Sequence, residues 1–341
     1  MCPATLDSDS NSCLSMASTG DDDFASAYVN GDANVADHES TPAPGSEKPY
    51  TNWQEDVRHG GSLQRVDLQT GVSGWASPPG HYFQVRGSNY FCKKHKSPSG
   101  ECIFKPLGVD WLRSHSKLDH VLGRPDNRVM QALRQAHAHG QSLKSFIFAV
   151  NLQIPGRDYH HAIFYFVLDD PIPHGSLLHR FIHEDDDAFR NSRFKLVNRI
   201  VKGPWIVRAT VGNYAACLLG KALTCSYCKG SNYFEIDVDI SSSALANAIL
   251  HLALGYVNSV TVDMAFLIEA QSEEEFPERI LGAVRIAQIE MSSAMFVDDS
   301  YDITHSNASR MPVRESSWKK FSRSISLLGQ GSKSFKDKEP L

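Results

Sequence analysis

The chain has 341 residues, of which 41% are hydrophobic and 21% charged, the composition of a globular protein with room for one large domain or two ordinary ones. It does not begin with a basic segment followed by an apolar run, and no uninterrupted apolar stretch reaches the roughly 18–20 residues of a membrane span. We therefore expect neither a secretory signal nor a transmembrane segment. The seven cysteines are odd in number and scattered, which favours a reducing, cytoplasmic location over a disulfide framework.

The net charge of −5 conceals an uneven distribution of charge along the chain. Residues 1–70 carry twelve acids and three bases, whereas residues 310–341 carry eight bases and three acids. The N-terminal part is also poor in large apolar side chains, so it cannot bury enough surface to offset the entropy of ordering. We predict a disordered acidic segment over residues 1–71, a folded domain over 72–292 and a flexible basic tail over 293–341.

The first half of the predicted domain contains strands, a helix and a hairpin. Residues 82–87 have the composition of a short strand, and residues 107–122 indicate a loop and a short helix. Apolar residues at helical spacing predict a helix over 127–139. Residues 145–154 and 161–168 are rich in β-branched and aromatic residues on either side of a short turn, which predicts an antiparallel hairpin.

The second half is predicted to combine further strands with a buried helix. Residues 176–188 indicate one amphipathic helix, and the β-branched run 205–211 indicates a strand. Residues 244–260 are apolar almost all round, which predicts a central helix of the core. Strands are expected over 261–270 and 281–287. Because the elements do not alternate regularly, we predict an α+β domain with a largely antiparallel sheet and a buried central helix.

One predicted strand, residues 233–240, shows the two-residue period of a half-buried strand. Its apolar residues are expected to face the core, and its acids to face water. The apolar set is Phe234, Ile236, Val238 and Ile240, and the acidic set is Glu235, Asp237 and Asp239.

Catalytic and metal-binding motifs are weak. The sequence has no phosphate-binding glycine loop and no nucleophile elbow. Cys225 and Cys228 form a C-x-x-C, but in a strand they point to opposite faces. His179 and His183 are four apart on a predicted helix, yet Glu184 lies outside the pair and not between them, so we interpret them as surface histidines. We predict no catalytic residue, no metal and no cofactor.

The strongest physical signal is a basic run with no acid between Ala188 and Phe234. Clustered cations attract the phosphates of lipid head groups or of nucleic acid, of which nucleic acid is the less favoured partner here. Neutralisation by residues 184–187 is the alternative that stays open. The predicted lipid- or anion-binding residues are Arg190, Arg193, Lys195, Arg199 and Lys202.

A second basic pattern lies in the C-terminal tail, where apolar residues at helical spacing stand opposite cations. Such a basic amphipathic helix suits an anionic membrane surface or a helix-binding groove of a partner protein. The predicted contact residues are Trp318, Lys319, Lys320, Phe321, Arg323, Ile325 and Leu328.

Five segments carry a family resemblance: WASPPGHYFQVRGSNY (75–90), DDAFRNSRFKLVNRIVKGPWIVRATVG (186–212), LLGKALTCSY (218–227), residues 232–270 and EEFPERILGAVRI (274–286). Together they resemble the C-terminal domain of the plant enhanced disease resistance 2-like proteins. In longer members this domain follows a pleckstrin-homology and a StAR-related lipid-transfer domain, and those proteins are associated with phosphoinositide binding, cell-death control and pathogen defence. The resemblance implies a stand-alone domain without established catalytic residues, to which the lipid binding of the other two domains does not transfer.

These observations favour a non-enzymatic, lipid- or membrane-associated regulatory protein of plant defence or cell-death control, cytoplasmic or peripheral to a membrane. The alternative is a protein-interaction scaffold whose basic tail binds a partner. An enzyme acting on anionic substrates is the third possibility.

Overall fold

In the computed structural model of the chain, residues 52–141 and 144–298 are described. Residues 1–51 and the segment that holds the predicted amphipathic helix, 318–328, lie outside the described residues.

The described residues form eight α-helices and fourteen strands. The helices are α1 Trp53–His59, α2 Tyr90–Lys93, α3 Arg128–Ala138, α4 Leu177–His183, α5 Asp187–Arg193, α6 Trp205–Val211, α7 Leu219–Ala222 and α8 Ala244–Leu254. The strands are β1 Gln64–Arg65, β2 Gly74–Ala76, β3 Gln84–Arg86, β4 Lys96–Pro98, β5 Lys105–Ser114, β6 Phe146–Ile154, β7 Tyr159–Leu168, β8 Phe194–Lys202, β9 Tyr214–Leu218, β10 Thr224–Lys229, β11 Tyr233–Asp239, β12 Thr261–Ile268, β13 Ile280–Ala287 and β14 Met295–Phe296.

Two six-stranded sheets form the framework of the domain. The first sheet has the order β10-β11-β6-β7-β5-β14, and the second has the order β1-β2-β13-β12-β8-β9. Neighbouring strands are antiparallel except for β11 with β6, β14 with β5 and β1 with β2. The predicted α+β class with a largely antiparallel sheet is confirmed.

An aromatic core joins the two sheets. The ring of Phe266 in the second sheet lies 5.7 Å from that of Phe164 in the first and 6.1 Å from that of Phe194 beside it. All three side chains are almost completely buried. Burial of one such side chain contributes about 1.5–3 kcal/mol, so this contact stabilises the packing of sheet on sheet.

Elements with strong local signals form where the sequence predicts them. Strands β6 and β7 make the expected antiparallel hairpin. Helix α3 begins after Asn127, whose side chain accepts a hydrogen bond from the Met130 backbone N–H, and it buries Val129 and Leu133.

Three predicted elements differ in type or extent. Residues 105–114 form strand β5, because the bulge between Pro106 and Gly108 lets the ladder continue past two residues that suggest a loop. Residues 205–211 form helix α6 and no strand: Pro204 precedes its first turn, and Gly212 with φ of 89° follows its last. The expected helix 176–188 is two helices, because Asp186 caps α5 by accepting from the Phe189 N–H.

Helix α8 lies at the surface although its sequence predicts a buried element. None of its residues is fully buried. Ala246, Leu250 and Leu254 pack against the core, while Ala248 and His251 are exposed on the opposite side. An apolar helix therefore covers one side of the domain and leaves its own outer side in contact with solvent.

The folded region begins before the predicted boundary at residue 72. Helix α1 buries Trp53 and Val57 against the first sheet, and Leu63 joins the core. A single helical turn of apolar residues inside a polar sequence is too short to stand out from composition alone, which is why residues 53–71 were assigned to the acidic segment. At the other end, β14 extends the fold past residue 292.

We expect the Trp53→Ala substitution to lower the free energy of unfolding by about 3–5 kcal/mol, because it removes a large side chain that is only 5% exposed. Urea unfolding followed by circular dichroism measures the change. Val72→Ala is the control, since Val72 is 54% exposed and its loss is expected to change stability by less than about 0.5 kcal/mol. Equal, small effects of both substitutions would contradict the position of α1 in the core.

Candidate functional site

The structure separates the five predicted anion-binding residues. Arg190 on α5 is 5% exposed, and its Nε donates to the Phe181 carbonyl oxygen at 2.8 Å. Its Nη1 lies 2.9 Å from Asp187 Oδ1, and Asp185 lies at 4.0 Å from its Nη2. The pairing with the neighbouring acids, an alternative left open by the sequence, is therefore present for Arg190. The residue joins α4 to α5 and does not present a charge to solvent.

Arg193 and Lys195 belong to an ion-pair network on the outer side of the second sheet. Arg193 Nη1 lies 2.7 Å from Glu275 Oε2. Lys195 Nζ lies 3.1 Å from Glu278 Oε1 and 3.3 Å from Glu269 Oε2. Both cations are almost completely buried, so their charge is neutralised within the fold.

Arg199 shares a fully buried carboxylate with a second arginine. Its Nη2 lies 2.6 Å from Asp263 Oδ2, and Arg285 Nη2 donates to the same oxygen at 2.9 Å. Of the five predicted residues, only Lys202 is exposed and has no ion-pair partner among the described residues. The expectation of one common basic face is therefore wrong for the other four. Neighbouring acids pair with Arg190, and acids distant in sequence pair with Arg193, Lys195 and Arg199.

A different surface remains open where β8 ends, and it is mainly apolar. Trp205, at the start of α6, is 78% exposed, and Val201 and Tyr256 are 37% and 38% exposed. Helix α6 packs against α8, and Gly203 lies so close to Val260 that a Cβ there would be 3.3 Å from Val260 Cγ2. We call this region the α6–α8 surface; it comprises Val201, Lys202, Trp205, Arg208, Tyr256 and the outer side of α8.

Charge on the α6–α8 surface is positive. The segments that form it, 201–211 and 244–256, contain no aspartate or glutamate. Arg208 Nε donates to the Gly203 carbonyl oxygen at 3.2 Å, and no carboxylate lies within ion-pair distance of its guanidinium among the described residues. Sequence reasoning missed Trp205 because it assigned 205–211 to a strand; Pro204 and Gly212 were the signals for a helix.

The acids of β11 do not face water as predicted. Glu235 and Asp237 are 0% and 2% exposed, because residues 117–124 cover this side of the strand. Burial raises the pKa of Glu235 well above its ordinary value, and it raises the pKa of Asp237 to about 6. Asp239 alone behaves as expected, since its carboxylate is partly exposed and lies 2.7 Å from Lys117 Nζ.

The cysteine and histidine motifs do not assemble into a site. Cys225 and Cys228 lie on β10 opposite Val238 and Glu235, and burial raises the pKa of Cys225 to about 12, so its thiol is protonated at neutral pH. The rings of His179 and His183 lie 4.5 Å apart on α4. Within residues 52–141 and 144–298, no three His, Cys, Asp or Glu side chains are arranged to hold a metal ion.

No helix among the described residues has both the length and the apolar character needed to cross a membrane.

Replacing Lys195 with methionine is expected to lower the free energy of unfolding by about 3–5 kcal/mol, because two buried glutamates are then left with a single cation, Arg86, and one buried negative charge is uncompensated. Urea unfolding measures the change. The same replacement at the exposed Lys202 is expected to cost less than about 0.5 kcal/mol. If the two variants were equally stable, Lys195 could not be the internal cation that the structure describes.

Comparison with known proteins finds a matching family and a similar protein. The family described as "Protein ENHANCED DISEASE RESISTANCE 2, C-terminal" matches residues 75–290. The Arabidopsis thaliana "Protein ENHANCED DISEASE RESISTANCE 2-like" is 40% identical over 257 residues, which cover 75% of this chain and 34% of that protein. The chain thus spans about a third of the length of this relative. No solved structure matches the chain significantly. Because the family match covers more than half of the residues, the chain belongs to the ENHANCED DISEASE RESISTANCE 2 C-terminal family.

Proposed function

We propose that the chain is a non-enzymatic regulatory protein of plant disease resistance that attaches to anionic membranes through the α6–α8 surface. The observation that carries the membrane part is Trp205, which is 78% exposed beside an apolar helix and two cations that have no acidic partner within residues 52–141 and 144–298. The defence part rests on the name of the Arabidopsis relative and on family membership. The sequence contains no nucleophile or phosphate-binding motif, which supports the non-enzymatic part.

The chemistry of the surface matches the interface of a lipid bilayer. Tryptophan and tyrosine favour the head-group region, where the ring is partly dehydrated and the polar end stays wet. Trp205 and Tyr256 offer two such rings. The exposed side chain of Val201 adds apolar surface that can lie between the water phase and the acyl chains of the bilayer. Each exposed apolar group that leaves water contributes about 25 cal/mol per Å² buried.

The cations of the α6–α8 surface favour a membrane with negatively charged lipids. Lys202 and Arg208 flank Trp205, and a cation near an anionic leaflet contributes about 1 kcal/mol. Two cations and two aromatic rings give weak, reversible attachment, so a second contact is needed for stable binding. The predicted tail cations Lys319, Lys320 and Arg323 would supply it.

We expect the full chain to float with phosphatidylcholine vesicles that contain phosphatidylserine, and not with vesicles of phosphatidylcholine alone. Trp205→Ala should lower the affinity for the anionic vesicles about tenfold, the effect of losing about 1.4 kcal/mol of interfacial contact. Phe296→Ala is the matched control, because Phe296 is an aromatic residue that is 46% exposed on β14, outside the α6–α8 surface.

The outcomes separate the membrane from other partners. Failure of the unmodified chain to bind either vesicle would overturn membrane attachment and favour a protein partner. Binding that is unchanged in Trp205→Ala but lost when Lys319, Lys320 and Arg323 are replaced with serine would move the contact to the tail.

A further inference from the structure

The outer side of the first sheet is covered by residues 117–124, which we call the covering segment. Leu118, Val121 and Leu122 of this segment are at most 3% exposed and pack on the sheet. Asn151 Nδ2 and Gln153 Nε2 of β6 donate to the Leu118 carbonyl oxygen at 2.8 and 3.0 Å. The segment contains no regular strand or long helix, so side chains of the sheet hold it in place.

Three consecutive backbone N–H groups of the covering segment converge on two buried carboxylates. His120 donates to Asp237 Oδ2 at 2.9 Å. Val121 and Leu122 donate to the two oxygens of Glu235 at 2.7 and 2.8 Å. His120 has φ of 53°, in the left-handed region, and this turn directs the three N–H groups toward the two neighbouring carboxylates. Such convergence is typical of backbone anion sites.

In the part of the chain that the structure describes, no ion pair includes Glu235 or Asp237. The two cations of the covering segment have other acidic partners: Lys117 pairs with Asp239 at 2.7 Å, and Arg124 pairs with Asp126 at 2.9 Å. Desolvation lowers the pKa of His120, so its ring is neutral at neutral pH. The other titratable groups around the pair add no positive charge; they are Asp119 on the covering segment, Cys228 on β10, Tyr165 on β7 and Tyr233 on β11.

Two full negative charges at this site would face only backbone dipoles and amides. Asn151 Nδ2 donates to Asp237 Oδ1 at 2.8 Å, and Glu235 and Asp237 lie two residues apart on β11, on the same face of the strand. When two carboxyl groups share a buried site, one of them keeps its proton to a higher pH.

We propose that Glu235 and Asp237 share one proton at neutral pH and that this proton latches the covering segment onto the first sheet. This inference is independent of the membrane proposal, because it concerns a different site. Here a buried pair of acids is stable only while one of the two carboxyl groups carries a proton. Loss of the proton would leave two like charges in a dry site and favour release of the covering segment.

The direction of the pH effect follows from the raised pKa values. Unfolded carboxyl groups titrate at about 4, whereas burial raises the pKa of Asp237 to about 6 and that of Glu235 well above its ordinary value. The folded state therefore binds more protons than the unfolded state above about pH 4. Stability from this pair is fully present below that pH and is lost as pH rises through the folded pKa values. The opening constant should increase up to about tenfold per pH unit for each proton released.

Hydrogen–deuterium exchange of the full chain tests the latch. After correction for intrinsic exchange rates, peptides that contain His120, Val121 and Leu122 should open more readily at about pH 8 than at about pH 5, relative to peptides from α3. A double variant, Glu235→Gln with Asp237→Asn, should lose this pH dependence, because neither amide can ionise. Asp239→Asn is the matched control on the same strand and should keep the dependence, since Asp239 pairs with Lys117.

Two results would overturn the latch. One is an opening constant of residues 120–122 that does not change with pH beyond that of α3. The other is a pH dependence that persists in the double variant. If that variant does not fold, infrared spectroscopy of the unmodified chain at about pH 7 decides instead: a protonated carboxyl C=O band from a buried acid supports the shared proton, and its absence contradicts it.

Discussion

Ion pairs on the outer side of the second sheet determine which charges the domain can offer to a partner. Strand β8 lies between β9 and β12, so the side chains that point away from the aromatic core meet carboxylates from β12 and from residues 269–278. Asp263, Glu269 and Glu278 are each nearly or fully buried. The cations that dominate the sequence of this region are thus structural, and positive charge reaches solvent where β8 ends, at Lys202 and helix α6.

This distribution links packing to the proposed membrane contact. An isolated buried charge is costly, so each cation of β8 requires its acid, and the pairs fix the position of β8 relative to β12. The end of β8 then sets where α6 begins, and α6 packs against α8. These contacts hold Trp205 at the surface. The Trp205 ring itself makes few contacts within the domain, as expected of a side chain that binds an external partner.

Sequence patterns predicted the parts of the fold that local interactions determine. The β6–β7 hairpin and the cap of α3 by Asn127 follow from residues close together in the chain. The acids of β11 were placed in water because alternation describes one strand, whereas their burial depends on residues 117–124, more than a hundred positions earlier. The ion-pair partners of Arg193, Lys195 and Arg199 could not be predicted from the sequence for the same reason, because they lie far away in the chain. Membership of the family was recognisable because it is carried by contiguous segments.

The membrane contact of Trp205 is the central claim, and quenching by lipids with brominated acyl chains tests it most directly. In the full chain, Trp318→Phe first removes the tryptophan of the tail. On anionic vesicles this protein should show tryptophan quenching that largely disappears when Trp205→Phe is added, a change that keeps an aromatic ring and leaves the buried tryptophans of the core in place. Quenching of the same size in both proteins would contradict the account, because the ring at position 205 would then lie outside the bilayer.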